Sequence, residues 1–249
     1  MFNFDNIVYL LLSVAAVLIT LTVHEFCHGY AAYRLGDPTA KNQGRLTLNP
    51  ISHIDPIGAI CMIFFKFGWA KPVPIDPRYF RKPKRDFAIT ALAGPLSNII
   101  MAFLGAGLYL FVYAMLRDVQ FTNEFLFKLA SNTLSFLFIF HSVNVGLGIF
   151  NLIPVPPLDG SRLLGVILPP KQYFGIMRYE RTIYFVLIGW LLLGSYVSSF
   201  LLSIPFVAAN PALSFIAKFF SLSGMLGKLM NLISDAMLAF WQLIPLLKL

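Results

Sequence analysis

Charged residues are scarce in this chain. Asp, Glu, Lys and Arg make up 12% of its 249 residues, whereas 58% are hydrophobic and the mean hydropathy is +0.75. A soluble domain carries about 25% charged residues, and half that supply cannot build a surface that faces water. The composition therefore excludes a soluble globular protein and predicts an integral membrane protein.

Cysteine and histidine are also rare, with two and four copies. Cys27 lies within an apolar run, which argues against a disulfide framework. Four histidines are too few for the several histidine clusters of a di-iron lipid desaturase. The N-terminus lacks the basic start and the small-residue cleavage site of a signal peptide, so its apolar run is predicted to be a permanent span.

Long apolar runs predict the membrane spans, since a transmembrane helix needs about 20 residues. Four runs are predicted to cross: residues 7–23 with helical continuation to 33, 87–116, 129–158 with three prolines near its end, and 182–204. Residues 212–249 are predicted to be either a fifth span packed on the bundle or an amphipathic helix at the membrane interface.

A shorter apolar segment, residues 56–67, lies between the first two spans and cannot cross a bilayer as a helix. It predicts a re-entrant or β-hairpin segment. The predicted fold class is therefore an all-α polytopic membrane protein with four to six transmembrane helices. We expect one membrane-embedded domain over residues 1–249, with a core at about 7–165 and C-terminal helices at about 182–249.

The net charge of +8 is concentrated between apolar runs. Ten of the nineteen Lys and Arg residues lie within residues 34–85, and four more lie within 162–181. Cytoplasmic loops of membrane proteins have such an excess of Lys and Arg. These cations are interpreted as contacts to anionic lipid headgroups, so no nucleic-acid partner is predicted. The chain is predicted to be multi-pass in the cell membrane, with the N-terminus outside and its polar motifs toward the cytoplasm.

The first polar motif is His24-Glu25-Phe26-Cys27-His28. Residues four apart share one face of a helix, so both imidazoles reach one point. Two imidazoles suit Zn²⁺, and the adjacent Glu25 can take a proton from a water at the metal. Ionisable groups within a membrane helix are expensive and usually functional. The alternative is a buried polar cluster that joins helices.

A zinc hydrolase normally has three protein ligands and one open position. Asp159 is favoured as the third ligand because prolines break the preceding helix and Gly160 allows close backbone approach. The alternative is that Asp159 caps a short helix over residues 161–168. The other candidates for the third ligand are His53, His141, Asp55, Asp86 and Glu180.

Polar and small residues also recur within the second and third predicted spans. A stripe of small residues on the second span predicts close helix packing, and Asn98 lies alongside it. Asn98 and Asn151 are candidates for holding a substrate backbone or an oxyanion, whereas His141 is interpreted as structural. The stripe consists of Thr90, Gly94, Ser97, Met101 and Gly105.

Three ordered motifs resemble those of the site-2 protease family of intramembrane metalloproteases. They are His24-Glu25-Phe-Cys-His28, Gly94-Pro95-Leu-Ser-Asn98, and the run from Asn151 through Pro154 and Asp159 to Gly160. Their order and helix placement match over about residues 23–160. The chain resembles the minimal subgroup, which has neither a PDZ nor a CBS domain.

The resemblance implies an intramembrane zinc metalloprotease that hydrolyses peptide bonds in or near transmembrane segments of membrane proteins. It implies one Zn²⁺ per chain on His24, His28 and Asp159, with Glu25 as the base that activates the zinc-bound water. It also implies that Asn151 and Pro154 help to hold substrate and that Asn98 lies close to the site. Residues 54–67 are expected to offer an edge strand to an unwound substrate.

A transporter or metal-binding membrane protein is the alternative from another class. Transport would need a polar path across the whole bilayer, yet the outer halves of the first three spans are almost entirely apolar. The expected partners are a membrane-protein substrate with a transmembrane helix and the lipid bilayer. The oligomeric state is left open.

Overall fold

The computed structural model describes residues 4–58, 69–219 and 221–248. This part of the chain is mostly helical, and its only β-pairing is an isolated antiparallel bridge between Ile54 and Ala70. The long helices are α1 (Phe4–Arg34), α2 (Pro83–Leu116), α3 (Glu124–Leu152), α4 (Glu180–Ser203) and α5 (Leu222–Trp241). The shorter helices are Thr39–Asn42, Leu164–Ile167, Pro170–Met177, Pro205–Ala209 and Pro211–Phe219.

Within the described residues, α1, α2 and α3 are each long and apolar enough to cross a membrane. The helix α4 adds a fourth candidate when its halves Glu180–Leu191 and Leu193–Ser203, bent by 49°, are counted as one span. The prediction of a multi-pass helical protein is thus supported, with three or four spans by length and composition against the four to six predicted.

Prolines and a cap set the ends of these helices. Pro83 opens α2, where a missing N–H costs nothing, and the Asn123 side chain caps the first turn of α3. The helix α3 ends at Leu152, two residues before Pro154, with Ile153 in extended backbone. The predicted proline break after the third span is therefore confirmed.

The C-terminal helix α5 packs on the bundle rather than lying apart from it. Its apolar face contacts a core of Ala102, Val145 and Ile149 from α2 and α3. Buried His141 ties the three helices together, because its Nδ1 donates to the Ala102 carbonyl (2.9 Å) and its Nε2 accepts from the Ser234 hydroxyl (2.6 Å). The structural interpretation of His141 is confirmed, whereas the fifth span and the interfacial helix both stay predictions for α5.

The predicted re-entrant or hairpin segment falls mainly on residues 59–68, which lie outside the described residues. The residues on either side of it are neighbours. Ile54 bridges Ala70, and the backbone of Gly58 lies so close to Trp69 that a Cβ at position 58 would come within 2.2 Å of the Trp69 carbonyl oxygen. The hairpin itself stays a prediction.

Gly107→Ala tests the docking of α5. A methyl group there would lie 2.6 Å from the Trp241 ring, so we expect a loss of about 1–3 kcal/mol of stability from overpacking. Gly227→Ala is the control, since nothing lies within 4 Å of its Cβ position. Thermal unfolding in detergent should show a lower midpoint for the first variant only; equal midpoints would contradict the packing.

Candidate metal centre

His24 and His28 lie one turn apart on α1, on the face that packs against α2. Both are buried, with 4% and 6% of their surfaces exposed. Their Nε2 atoms lie 3.0 Å apart, and the two rings meet edge to face. The spacing of four residues has therefore brought both imidazoles to one point, as the sequence predicted.

Asp159 reaches the same point from the segment after α3. Its Oδ2 atom lies 3.1 Å from Nε2 of His24 and 3.2 Å from Nε2 of His28. The turn back is possible because Gly160 packs on the end of α3, where a Cβ would lie 2.3 Å from the Leu152 carbonyl oxygen. The short 3-10 helix begins at Asp159 itself and its N-cap is Leu158, so Asp159 does not hold the capping position that the alternative gave it.

The outer nitrogen of each imidazole is committed to an acceptor. His28 Nδ1 donates to the carbonyl oxygen of Thr90 (2.7 Å), and His24 Nδ1 donates to Oδ1 of Asn98 (2.5 Å). A neutral imidazole that donates through Nδ1 presents a lone pair at Nε2. Two lone pairs and a carboxylate oxygen thus face one another, and a divalent cation among them would satisfy all three.

A chain of amides fixes the orientation of Asn98. Asn144 Nδ2 donates to the main-chain carbonyl of Phe140 (2.8 Å) and to Thr20 Oγ1 (2.8 Å). Its Oδ1 therefore accepts from Asn98 Nδ2 (3.0 Å), which leaves Asn98 Oδ1 to face His24. The Phe140 main-chain carbonyl, which can only accept, thus sets the tautomer of His24 through the side chains of Asn144 and Asn98.

The donor set fits Zn²⁺ in size and charge. Zinc–nitrogen and zinc–oxygen bonds of about 2.0–2.1 Å at tetrahedral angles put ligand atoms about 3.3 Å apart, close to the observed 3.0–3.2 Å. Asp159 contributes a carboxylate oxygen to this set. Asp159 can therefore supply one of the two negative charges that offset a divalent ion.

Glu25 supplies a second carboxylate beside this cluster without belonging to it. It is 9% exposed, and its Oε2 accepts from the main-chain N–H of Val73 (2.8 Å). A cavity of about 280 Å³ brings Glu25, His28 and Asp159 to one space, with Arg162 also on its wall. A carboxylate, the candidate ligands and room for water thus meet there.

Gly94 and Thr90 correct the sequence interpretation of the stripe on α2, which assigned both to helix packing. A Cβ at position 94 would lie 2.3 Å from Nε2 of His28 and 2.7 Å from Cε1 of His24. The bare backbone of Gly94 therefore makes room for the imidazoles, and the main chain of Thr90 binds one of them. Pro95 follows, and it cannot donate to the carbonyl of Ala91, a residue that lines the cavity.

The other candidates for a third ligand are engaged elsewhere. His53 donates to the Thr47 carbonyl, and Asp55 accepts from Ile57 and Gly58. Asp86 accepts from Lys82 and Arg85, and Glu180 pairs with Arg162. In the described part of the chain, the group with metal-ligand geometry is His24, His28 and Asp159.

Asn151 and Pro154 lie on the stretch of chain that leads from α3 to Asp159. Asn151 is half-buried in the last turn of α3, and Pro154 is exposed in the irregular segment that leads to Asp159. Neither lines the cavity that holds Glu25. Their roles toward substrate stay predictions.

Sequence reasoning missed Val73 and Arg162. Val73 acts through its main chain, which no residue pattern reveals. It lies on a segment that Arg45 fastens through the carbonyls of Lys71 and Pro72. Arg162 follows Asp159 by three residues, and this short distance in sequence could have indicated that it lies near the site.

Gly94→Ala should displace the imidazoles and lower zinc affinity by at least ~10-fold, because the added methyl group overlaps the His28 ring. Gly105→Ala on the same helix is the control, since the nearest atoms to its methyl group would be those of the Phe140 ring, at 3.2 Å, and the His141 Cα and Cβ, at 3.6 Å. Metal analysis of the purified variants checks this; full zinc content in Gly94→Ala would refute the assigned crowding.

Asn98→Ala should lower zinc affinity by about 10–100-fold, because His24 Nδ1 loses the acceptor that holds its tautomer. Asn231→Ala removes an exposed amide on α5 and should change nothing. Competition with a chelator measures both. Equal affinities would show that the amide chain does not orient the ligand.

Comparison with known proteins identifies the family. The family described as Peptidase family M50 matches residues 12–194. A Bacillus subtilis protein named "Putative zinc metalloprotease YwhC" is 40% identical over 186 residues, which cover 74% of this chain and 82% of that protein. "Putative zinc metalloprotease Rip2" of Mycolicibacterium smegmatis is 30% identical over 167 residues, covering 65% and 59% of the two chains.

The corresponding Rip2 protein of Mycobacterium tuberculosis strain Erdman is 25% identical over 193 residues, covering 71% of this chain and 68% of that protein. No solved structure matches the chain. The resemblance predicted from the three sequence motifs is confirmed by the family match, and a family of zinc metalloproteases implies zinc. This chain belongs to peptidase family M50, the site-2 protease family, and is a membrane-embedded metalloprotease.

Proposed function

We propose that this enzyme hydrolyses peptide bonds within or next to transmembrane segments of membrane proteins, with one Zn²⁺ held by His24, His28 and Asp159. The observation that carries the proposal is the cluster of three acceptors 3.0–3.2 Å apart. His24 and His28 lie on a helix with the composition of a membrane span, and Glu25 lines one cavity with His28 and Asp159. A hydrolytic site at this position faces substrates that are themselves in the bilayer.

The depth of the cluster supports this substrate class. The helix α1 ends at Arg34, so His28 and His24 lie six and ten residues before its end. At 1.5 Å per residue they lie about 9 and 15 Å along the helix from that end. With the basic loops in the cytoplasm of a cell-membrane protein, the site would open toward the cytoplasmic side and the N-terminus would lie outside.

Glu25 is the proposed general base. Zinc, when bound, acts as a Lewis acid that lowers the pKa of a water toward 7 and polarises the scissile carbonyl. The Val73 N–H holds Glu25 Oε2 in place, and we assign proton transfer to the other oxygen. Glu25 would take the proton from the attacking water and deliver it to the leaving amine.

The substrate must unwind before it can react, because a helix hides its carbonyls in its own hydrogen bonds. Asn151 and Pro154 are proposed to hold the unwound chain, and residues 54–67 are proposed to pair with it as an edge strand. Asn98 has another task. Both ends of its amide are used by His24 and Asn144, and it is fully buried, so we assign it to orienting His24 rather than to substrate.

Glu25→Gln tests the proposal. We expect it to keep full zinc, since Glu25 is not a ligand, but to slow cleavage of a single-span membrane substrate by about 10²–10⁴-fold, the usual contribution of a general base. Asp159→Ala is the matched comparison, in which zinc content itself should fall.

Zinc analysis and cleavage of candidate single-span proteins in reconstituted vesicles check both variants. Undiminished cleavage by Glu25→Gln would remove Glu25 from its role, and full zinc in Asp159→Ala would point to another third ligand. Zinc movement across the vesicles without proteolysis would favour a transporter.

A further inference from the structure

A second cavity adjoins the catalytic one at the Pro83 end of α2. It has a volume of about 230 Å³. Phe87 and Arg162 line both cavities and form the wall between them. The second cavity therefore lies next to the space that Glu25, His28 and Asp159 share, with Phe87 and Arg162 between the two.

The walls of this cavity are apolar and aromatic, with cations at the edge. The rings of Phe87, Tyr173 and Phe174 line it, together with the side-chain-free Gly165. Lys84 and Arg162 supply positive charge, and none of its lining residues is acidic. Such a site suits an apolar side chain whose own backbone carbonyls face the cations.

Arg162 is held in place at the shared wall. Its guanidinium group lies 5.6 Å from the centre of the Phe87 ring and pairs with Glu180 (2.9 Å). The ion pair is partly buried, with 27% and 34% of the two side chains exposed. Arg162 is therefore a fixed part of the wall between the two cavities rather than a free, solvated side chain.

The size of the cavity matches a large side chain. A cavity of about 150 Å³ holds a benzene ring, and the 230 Å³ here is larger. Phe87 precedes Gly94, which touches both imidazoles, by seven residues on α2, or about 10 Å. An extended peptide covers this distance in about three residues.

We propose that this cavity is a specificity subsite that takes a large apolar or aromatic side chain of the substrate, about three residues from the scissile bond. The inference rests on the proposed proteolytic function and adds the chemistry by which that site selects its cleavage position. A substrate is preferred over a lipid as the occupant because the cavity shares the wall of Phe87 and Arg162 with the catalytic space.

Gly165→Leu tests the subsite by filling it, since a Cβ at position 165 already lies 3.3 Å from the Tyr173 ring. Gly175→Leu is the matched control, because it adds the same side chain to the nearby helix Pro170–Met177 at a position with nothing within 4 Å. Phe174→Ala is the complementary variant that removes an exposed part of the wall. Zinc content reports whether each variant keeps its metal centre.

The measurement is the cleavage rate of a panel of single-span substrates that carry Phe, Leu, Ala or Asp at each position within four residues of the cleavage site. One position should favour Phe or Leu over Ala by about 10–200-fold, the range for an apolar pocket. That ratio should fall by at least ~10-fold in Gly165→Leu and decline in Phe174→Ala, and it should persist in Gly175→Leu.

Two failures are distinguishable. Glu25-dependent cleavage with no side-chain preference, or with a preference that Gly165→Leu and Phe174→Ala leave unchanged, would overturn the subsite alone and leave the cavity to a lipid chain. Absence of Glu25-dependent cleavage in the zinc-loaded wild type would overturn the proposed function, and the subsite with it.

Discussion

The centre of this protein depends on the two hydrogen bonds that occupy the outer nitrogens of His24 and His28. Because Nδ1 of each ring donates to an oxygen, each Nε2 points a lone pair at the other and at Asp159. A cation lying among three such acceptors, which are within 3.2 Å of one another, would stabilise the arrangement. The surrounding helices hold the three ligand atoms in this arrangement.

The packing of α2 against α1 follows from that requirement. Gly94 leaves the space that the imidazoles fill, and the adjacent turn offers the Thr90 carbonyl as an acceptor. Asn98, one turn further, meets His24 and joins α2 to α3 through Asn144. In an apolar environment an unpaired amide is costly, so these bonds also hold the three helices in register. Structure and metal chemistry thus use the same polar groups.

The sequence predicted the parts of the site that reside in side chains with characteristic spacing. His24, Glu25 and His28 were predicted from a pair of histidines one helical turn apart. Asp159 was predicted from the prolines and the glycine that turn the chain. The roles of Thr90, Gly94 and Val73 at the site were not predicted. Thr90 and Val73 contribute main-chain atoms, and Gly94 contributes the absence of a side chain. The docking of α5 was left open since its apolar face, with Leu226, Met230 and others, would suit either a bundle or a membrane surface.

The bond between Val73 and Glu25 has an evolutionary consequence. The donor of this hydrogen bond is a peptide N–H, so any residue except proline at position 73 can hold Glu25. The hydrogen bond therefore does not restrict which other residue stands at that position. Space sets the remaining limit, because a Cβ added at Gly29 would lie only 3.1 Å from the Val73 side chain. Relatives that enlarge one of these two positions should therefore carry a small residue at the other.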